Sequence, residues 1–210
     1  MKFSILQKLG GIALIKGAVL LTVYAIAFMT LLPAAEARHD ITLLVQSPYW
    51  IWIALVAFGG VLSMIFGFIA VYSKIYAESG ITGLIGIIFI VFAYILQACK
   101  VTWEIFLYPI ICASQAYAPL LKDFIIQHNT GVVIFRYAAT LSIFLGILFF
   151  CAALIRSAAF PKIAGILIFT GAVIYGIGPM ISVFIAIGGI IVLSIGCSMV
   201  GVKMINTQAS

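Results

Sequence analysis

Charge is what this sequence has least of. Only 8% of its 210 residues are Asp, Glu, Lys or Arg, with five acids and two histidines, where a soluble domain carries ~25% charged residues. A water-soluble globule is therefore excluded. Cysteine is sparse too: Cys99, Cys112, Cys151 and Cys197 fall in apolar runs with no C-x-x-C spacing. That argues against a disulfide framework, a zinc site or a thioredoxin-like redox motif and leaves four free thiols. There is no Walker loop, no H-E-x-x-H, no G-x-S-x-G, no pair of aspartates in an apolar run and no retinal-type lysine in the last span. ATP-driven pump, intramembrane protease and opsin readings lose their support, no cofactor is called for, and an enzymatic role is disfavoured. The eleven Lys and Arg are scattered in ones and twos, without the clustered basic face that nucleic acid requires.

What is abundant is apolar surface, at 66% of residues. A helical crossing takes ~20 apolar residues, so 1–210 reads as a single transmembrane domain. The apolar runs lie at about 9–32, 49–71, 81–107 and 132–155, and a longer stretch after Pro161 divides at Gly176-Ile177-Gly178-Pro179 into about 161–177 and 180–203. Glycine permits a tight turn and proline cannot continue the preceding helix, so that stretch is expected to be a hairpin. The expected fold is all-α, a polytopic transmembrane helical bundle of six spans.

Orientation follows from the basic residues of short loops. One side holds Lys2, Lys8, Lys74, Arg156, Lys162 and Lys203, the other Arg38, Lys122 and Arg136; by the positive-inside rule both termini are expected to be cytoplasmic, and the expected location is an inner (plasma) membrane. Lys16, two turns into the first run, can snorkel to the same interface. Ala35-Glu36-Ala37 has the small-x-small pattern of a signal-peptidase site, but the preceding run is long for a signal sequence and contains Lys16, so the first span is expected to be retained. Gly59, Ser63 and Gly67 on the second run, and Ser194 with Ser198 on the last, have the spacing by which membrane helices approach closely.

The third run carries the candidate site. Gln97, Lys100, Glu104 and Tyr108 recur at three- and four-residue spacing, with Trp103 beside them, which puts a polar stripe on one face of a membrane helix. Lys100 and Glu104 can pair. Because an intramembrane charge is costly alone, the pair is expected to face the bundle interior or a water-filled space, framing a site for a small polar or ionisable ligand; a purely structural salt bridge is the competing reading. Arg136, at the outer end of the fourth run, can bind an anion or headgroup, or pair with Glu104 or Asp123. The segment 119–128 reads as an amphipathic helix lying on the membrane, with Leu120, Leu121, Phe124 and Ile125 opposed to Lys122, Asp123 and Gln127; it is a candidate roof. His39 and His128 fall on the same side, but without ligand spacing they give only a weak metal signal.

Two function classes remain. One is a small carrier or ligand-binding membrane protein built on the polar stripe, the other a structural or assembly subunit that presents its small-residue faces to membrane-protein partners or to further copies of itself. Trp103-Glu-Ile-Phe-Leu-Tyr-Pro109, Ala118-Pro-Leu-Leu121 and the stretch from Arg156 to Gly165 resemble uncharacterised bacterial inner-membrane protein families. That resemblance implies a small six-pass bundle and its location, and no activity.

Overall fold

A computed structural model describes residues 3–32, 40–122 and 125–206. Lys2, Glu36, Arg38, His39, Asp123 and the Ala35-Glu36-Ala37 pattern lie outside the described residues. The long helices are α1 (Phe3–Leu31), α3 (Trp50–Thr102), α6 (Thr130–Arg156), α7 (Lys162–Ile181) and α8 (Val183–Asn206); the short ones are α2 (Thr42–Val45), α4 (Tyr108–Ala113) and α5 (Ile125–His128). Among the described residues there is no strand, only an isolated bridge between Asp40 and Lys122. The helical outcome is what an apolar chain demands, since a helix satisfies its own backbone groups where no water can.

The five long helices are each apolar and long enough to cross a membrane. One of them, α3, is two arms. Gly80 adopts φ 54° and ψ −150°, a region open in practice to glycine alone, and there the chain reverses. The arms 50–79 and 81–102 then run antiparallel, bringing Ala54 and Ala57 against Val101 and Ile105 and Phe68 against Tyr94. The first arm continues as helix well beyond residue 71, because nothing before Gly80 breaks it.

Six helical segments follow one another around a closed ring. α1 packs on the first arm of α3 and on α8, the second arm packs on α6, and α6, α7 and α8 follow in order. Small residues set the spacing. A Cβ on Gly67 would stand 2.7 Å from the Cα of Leu14, and one on Gly86 would stand 2.7 Å from the Cα of Phe150, so these pairs bring backbones into direct contact. Of the expected small-residue stripe, Gly67 serves this purpose, while Ser63 bonds back to the carbonyl of Gly59. Ser194 joins the first helix to the last, with Thr22 Oγ1 and Ser194 Oγ 2.7 Å apart.

Two ends can be distinguished. The basic end carries Lys8, Lys74, Arg156, Lys162 and Lys203 and is tied by Glu78, whose carboxylate accepts from Ser157 Oγ and from the Ala158 N–H, both at 2.8 Å. At the opposite end Asp40 pairs with Lys122 at 3.7 Å, and fully buried Leu121 packs with Leu32, Ile41, Leu44, Trp50, Ile53 and Tyr108. This clasp replaces the expected amphipathic helix. Pro119 opens a 3-10 turn over Ala118–Leu121, Lys122 is extended, and α5 starts only at Ile125; the chain gives up helix at Lys122 to pair with Asp40. The hairpin turn also falls later than expected. Pro179 lies in the last turn of α7, and the break comes at extended Ser182, whose N–H returns to the Gly178 carbonyl at 2.8 Å. Gly178 is pressed against the backbone of Ala186, which leaves no room to turn there. All four cysteines are free, Cys151 and Cys197 buried, Cys99 exposed and Cys112 partly covered.

Two consequences can be measured on the detergent-solubilised protein. A methyl group at Gly80 meets nothing within 4 Å, so Gly80→Ala isolates the backbone term and should cost about 1–3 kcal/mol, while Thr82→Ala changes little; equal thermal midpoints for G80A and wild type would contradict the reversal. The bonds from Ser157 and then from Ala158 hold the Glu78 carboxyl below its ordinary pKa of 4.5. A depressed folded pKa contributes stability that is complete above the ordinary value and is lost as pH falls through the folded one. Thermal stability should therefore decline on acidification below 4.5, with a shallower decline in Glu78→Gln.

Candidate ligand site

The site grows from a defect in helical hydrogen bonding. Pro109 has no N–H, and Trp103–Leu107 is a single π-turn in which the Tyr108 N–H reaches back to the Trp103 carbonyl. The Glu104 carbonyl thereby loses its α-helical donor, Tyr108, and its π-helical donor would be Pro109, which has none. Trp50 supplies the replacement. Its indole Nε1 donates to the Glu104 carbonyl at 2.9 Å across the two arms of α3, a bond whose loss inside a membrane would cost about 1–3 kcal/mol.

The π-turn fixes where the Glu104 side chain goes. Its carboxylate pairs with Lys100 Nζ at 2.9 Å, and the two side chains are 11% and 42% exposed. That asymmetry matters. Glu104 borders a cleft too narrow for water, lined by Tyr24, Phe28, Trp50, Ile53 and Ala54. Lys100 instead lies within electrostatic reach of Tyr24 on α1, Tyr108 on α4 and Tyr175 on α7. Of these, Tyr24 and Tyr175 come from helices that do not flank the second arm of α3, which carries Lys100.

The contact between α6 and α7 is uneven along its length. At the basic end Gly165 abuts Ile155 and the Cys151 carbonyl. From there toward the clasp, the α6 stripe passes from buried Ile147 through half-buried Ile143 to exposed Thr140 and Arg136, and on α7 from buried Gly165 through half-buried Ala172 to exposed Gly176 and Met180. The seam is covered at one end and open at the other. Pro179, inside α7, also removes the α-helical donor to the Tyr175 carbonyl, as Pro109 does near Glu104.

The residues singled out from sequence divide accordingly. Lys100, Glu104 and Tyr108 come together, and Gln97, one turn away, is half-buried with no hydrogen-bond partner among the described residues. Trp103 does not join them; its ring packs on Phe135 of α6, with centroids 5.0 Å apart. Arg136 is exposed and has no ion-pair partner among the described residues, the Glu104 carboxylate being taken by Lys100. His128 is exposed, and the described residues hold no group of three His, Cys, Asp or Glu able to bind a metal. Tyr24 and Tyr175 were not legible as site residues, although a proline four or five positions after a charged residue was a signal for the π-turn. No family model matches the chain, and neither does a curated protein or a solved structure.

The asymmetric pair makes an ordered prediction. Lys100→Met leaves a carboxylate sealed in a dry pocket and should cost about 3 kcal/mol. Glu104→Gln leaves a partly exposed ammonium and should cost less, and the double variant should regain part of the loss. Thermal or denaturant unfolding in detergent reads all three; strictly additive losses would contradict a coupled pair.

Proposed function

We propose that this is a six-pass inner (plasma) membrane protein with both termini cytoplasmic, which binds a small polar or ionisable ligand at Lys100 and Glu104 as a carrier or ligand-binding protein. Orientation rests on charge: the basic end has Lys8, Lys74, Arg156, Lys162 and Lys203 against one acid, Glu78, the bias that cytoplasmic loops carry. The clasp end then faces outward, and the ligand enters along the open part of the α6–α7 seam.

One observation carries the binding reading. A structural salt bridge would gain from being sealed on both sides, yet Lys100 keeps 42% of its side chain exposed, with hydroxyls from α1, α4 and α7 within electrostatic reach and the unpartnered amide of Gln97 on the same face. Intramembrane charges so placed mark ligand or ion paths. The ammonium can hold an anionic or carbonyl group, Glu104 can accept from a donor or exchange a proton, and the tyrosines can do either.

Native mass spectrometry of the gently extracted protein tests this. The expected result is a small molecule retained by the wild type and lost in Glu104→Gln. Stoichiometric partner chains with nothing bound at the stripe would overturn it in favour of a structural or assembly subunit.

A further inference from the structure

Arg136 is exposed on α6 and has no acid beside it among the described residues. The described acids are spoken for. Glu104 is held by Lys100 and Asp40 by Lys122, Asp40 also accepts from the Thr42 N–H, and Glu78 bonds to Ser157 and Ala158 at the basic end.

Its position on α6 is not that of a lipid-facing side chain. The outward stripe of this helix is Ile134, Tyr137, Leu141, Phe144 and Leu148, all exposed. Arg136 instead lies eighteen residues before Leu154, five turns at ~3.6 residues each, so it stands on the same line along the helix as a fully buried side chain. That line runs between the residues that meet α3, such as Gly146 against Ile90, and those that meet α7, such as Cys151 beside Gly165. Depth follows from register. Gly86 meets Phe150 and Gly146 meets Ile90, an antiparallel match that, ten residues on from Ile90 and ten back from Gly146, sets Lys100 level with Arg136; the ring contact of Trp103 with Phe135 falls beside it. Thr140, one turn along, donates to the Arg136 carbonyl at 2.9 Å, which leaves the guanidinium as the group on this line with donors to spare.

We propose that the ligand held at Lys100 and Glu104 carries an oxyanion, a carboxylate or phosphate, and that Arg136 is the residue that recognises it; this rests on the binding reading above. Lys100 and Glu104 offset each other, so one negative charge on the ligand leaves the seam neutral. The guanidinium fork matches two oxygens of a carboxylate or phosphate, as an ammonium does not. Because an unpaired guanidinium among apolar helices is costly, the site favours the anion over an uncharged analogue.

The test is thermal stability of the detergent-solubilised protein in inorganic phosphate or acetate, each against chloride at equal ionic strength, with acetamide as the uncharged control. Phosphate or acetate should raise the wild-type midpoint saturably, and acetamide should not. Arg136→Gln should weaken that response at least ten-fold, about the worth of a hydrogen bond to a charged group. Arg136→Lys should weaken it less, and Arg156→Gln, at the basic end, should leave it unchanged. Equal responses in wild type and Arg136→Gln overturn the proposal, as does no response to either oxyanion. A response confined to phosphatidylglycerol in phosphatidylcholine nanodiscs overturns it too, making Arg136 a lipid-headgroup contact. Native mass spectrometry separates this inference from the reading beneath it: a small molecule lost in Glu104→Gln but kept in Arg136→Gln defeats the oxyanion alone, whereas a wild type that retains no small molecule defeats the binding reading itself.

Discussion

The missing N–H of Pro109 is the constraint on which the clasp half of the molecule depends. In water an orphaned carbonyl costs little, because solvent replaces the donor; among apolar helices the protein must supply one. It does so with the π-turn over Trp103–Leu107 and the indole of Trp50. That single bond pins the start of the first arm of α3 to the end of the second. It also places Trp50 in the cluster that buries Leu121 and Tyr108, and it presents the Glu104 carboxylate to Lys100.

The ring supplies what the π-turn alone could not. Close approach at Gly67 and Gly86, and the Thr22–Ser194 bond between first and last helices, hold the segments in a closed order. In that order α1 and α7 face α3 and deliver Tyr24 and Tyr175 to Lys100. The two ends are then secured in different ways: at the basic end by hydrogen bonds to a carboxylate in the connecting turns, at the other by an ion pair over a buried leucine. Between them the α6–α7 seam is closed near the basic end, where Gly165 lets the helices touch, and more exposed toward the clasp.

Much of this was legible because hydropathy and helical periodicity are local. Apolar runs locate the long helices, and the spacing of Lys100, Glu104 and Tyr108 puts them on one face before any packing is known. What could not be read depends on which helices meet. Tyrosines within apolar runs, such as Tyr24 and Tyr175, look like any other interfacial aromatic until the ring brings them to Lys100. Trp103 shares the helix of the pair but faces α6. Pro179 reads as a turn former, yet Gly178 lies against the backbone of Ala186 and the turn falls at Ser182. The amphipathic pattern after Pro119 gave way to an ion pair with Asp40, a partner some eighty residues distant in sequence.

The central claim is that the polar face of the second arm of α3 borders space that water reaches inside the bundle. Cysteine placed at Gln97 tests it most directly, because this substitution leaves the Lys100–Glu104 pair intact. With the four native cysteines replaced, Gln97→Cys in sealed vesicles should react with a membrane-impermeant thiol reagent added from the clasp side. Reaction only with a lipid-soluble reagent, or none at all, would contradict the account and leave Lys100 and Glu104 as a structural salt bridge.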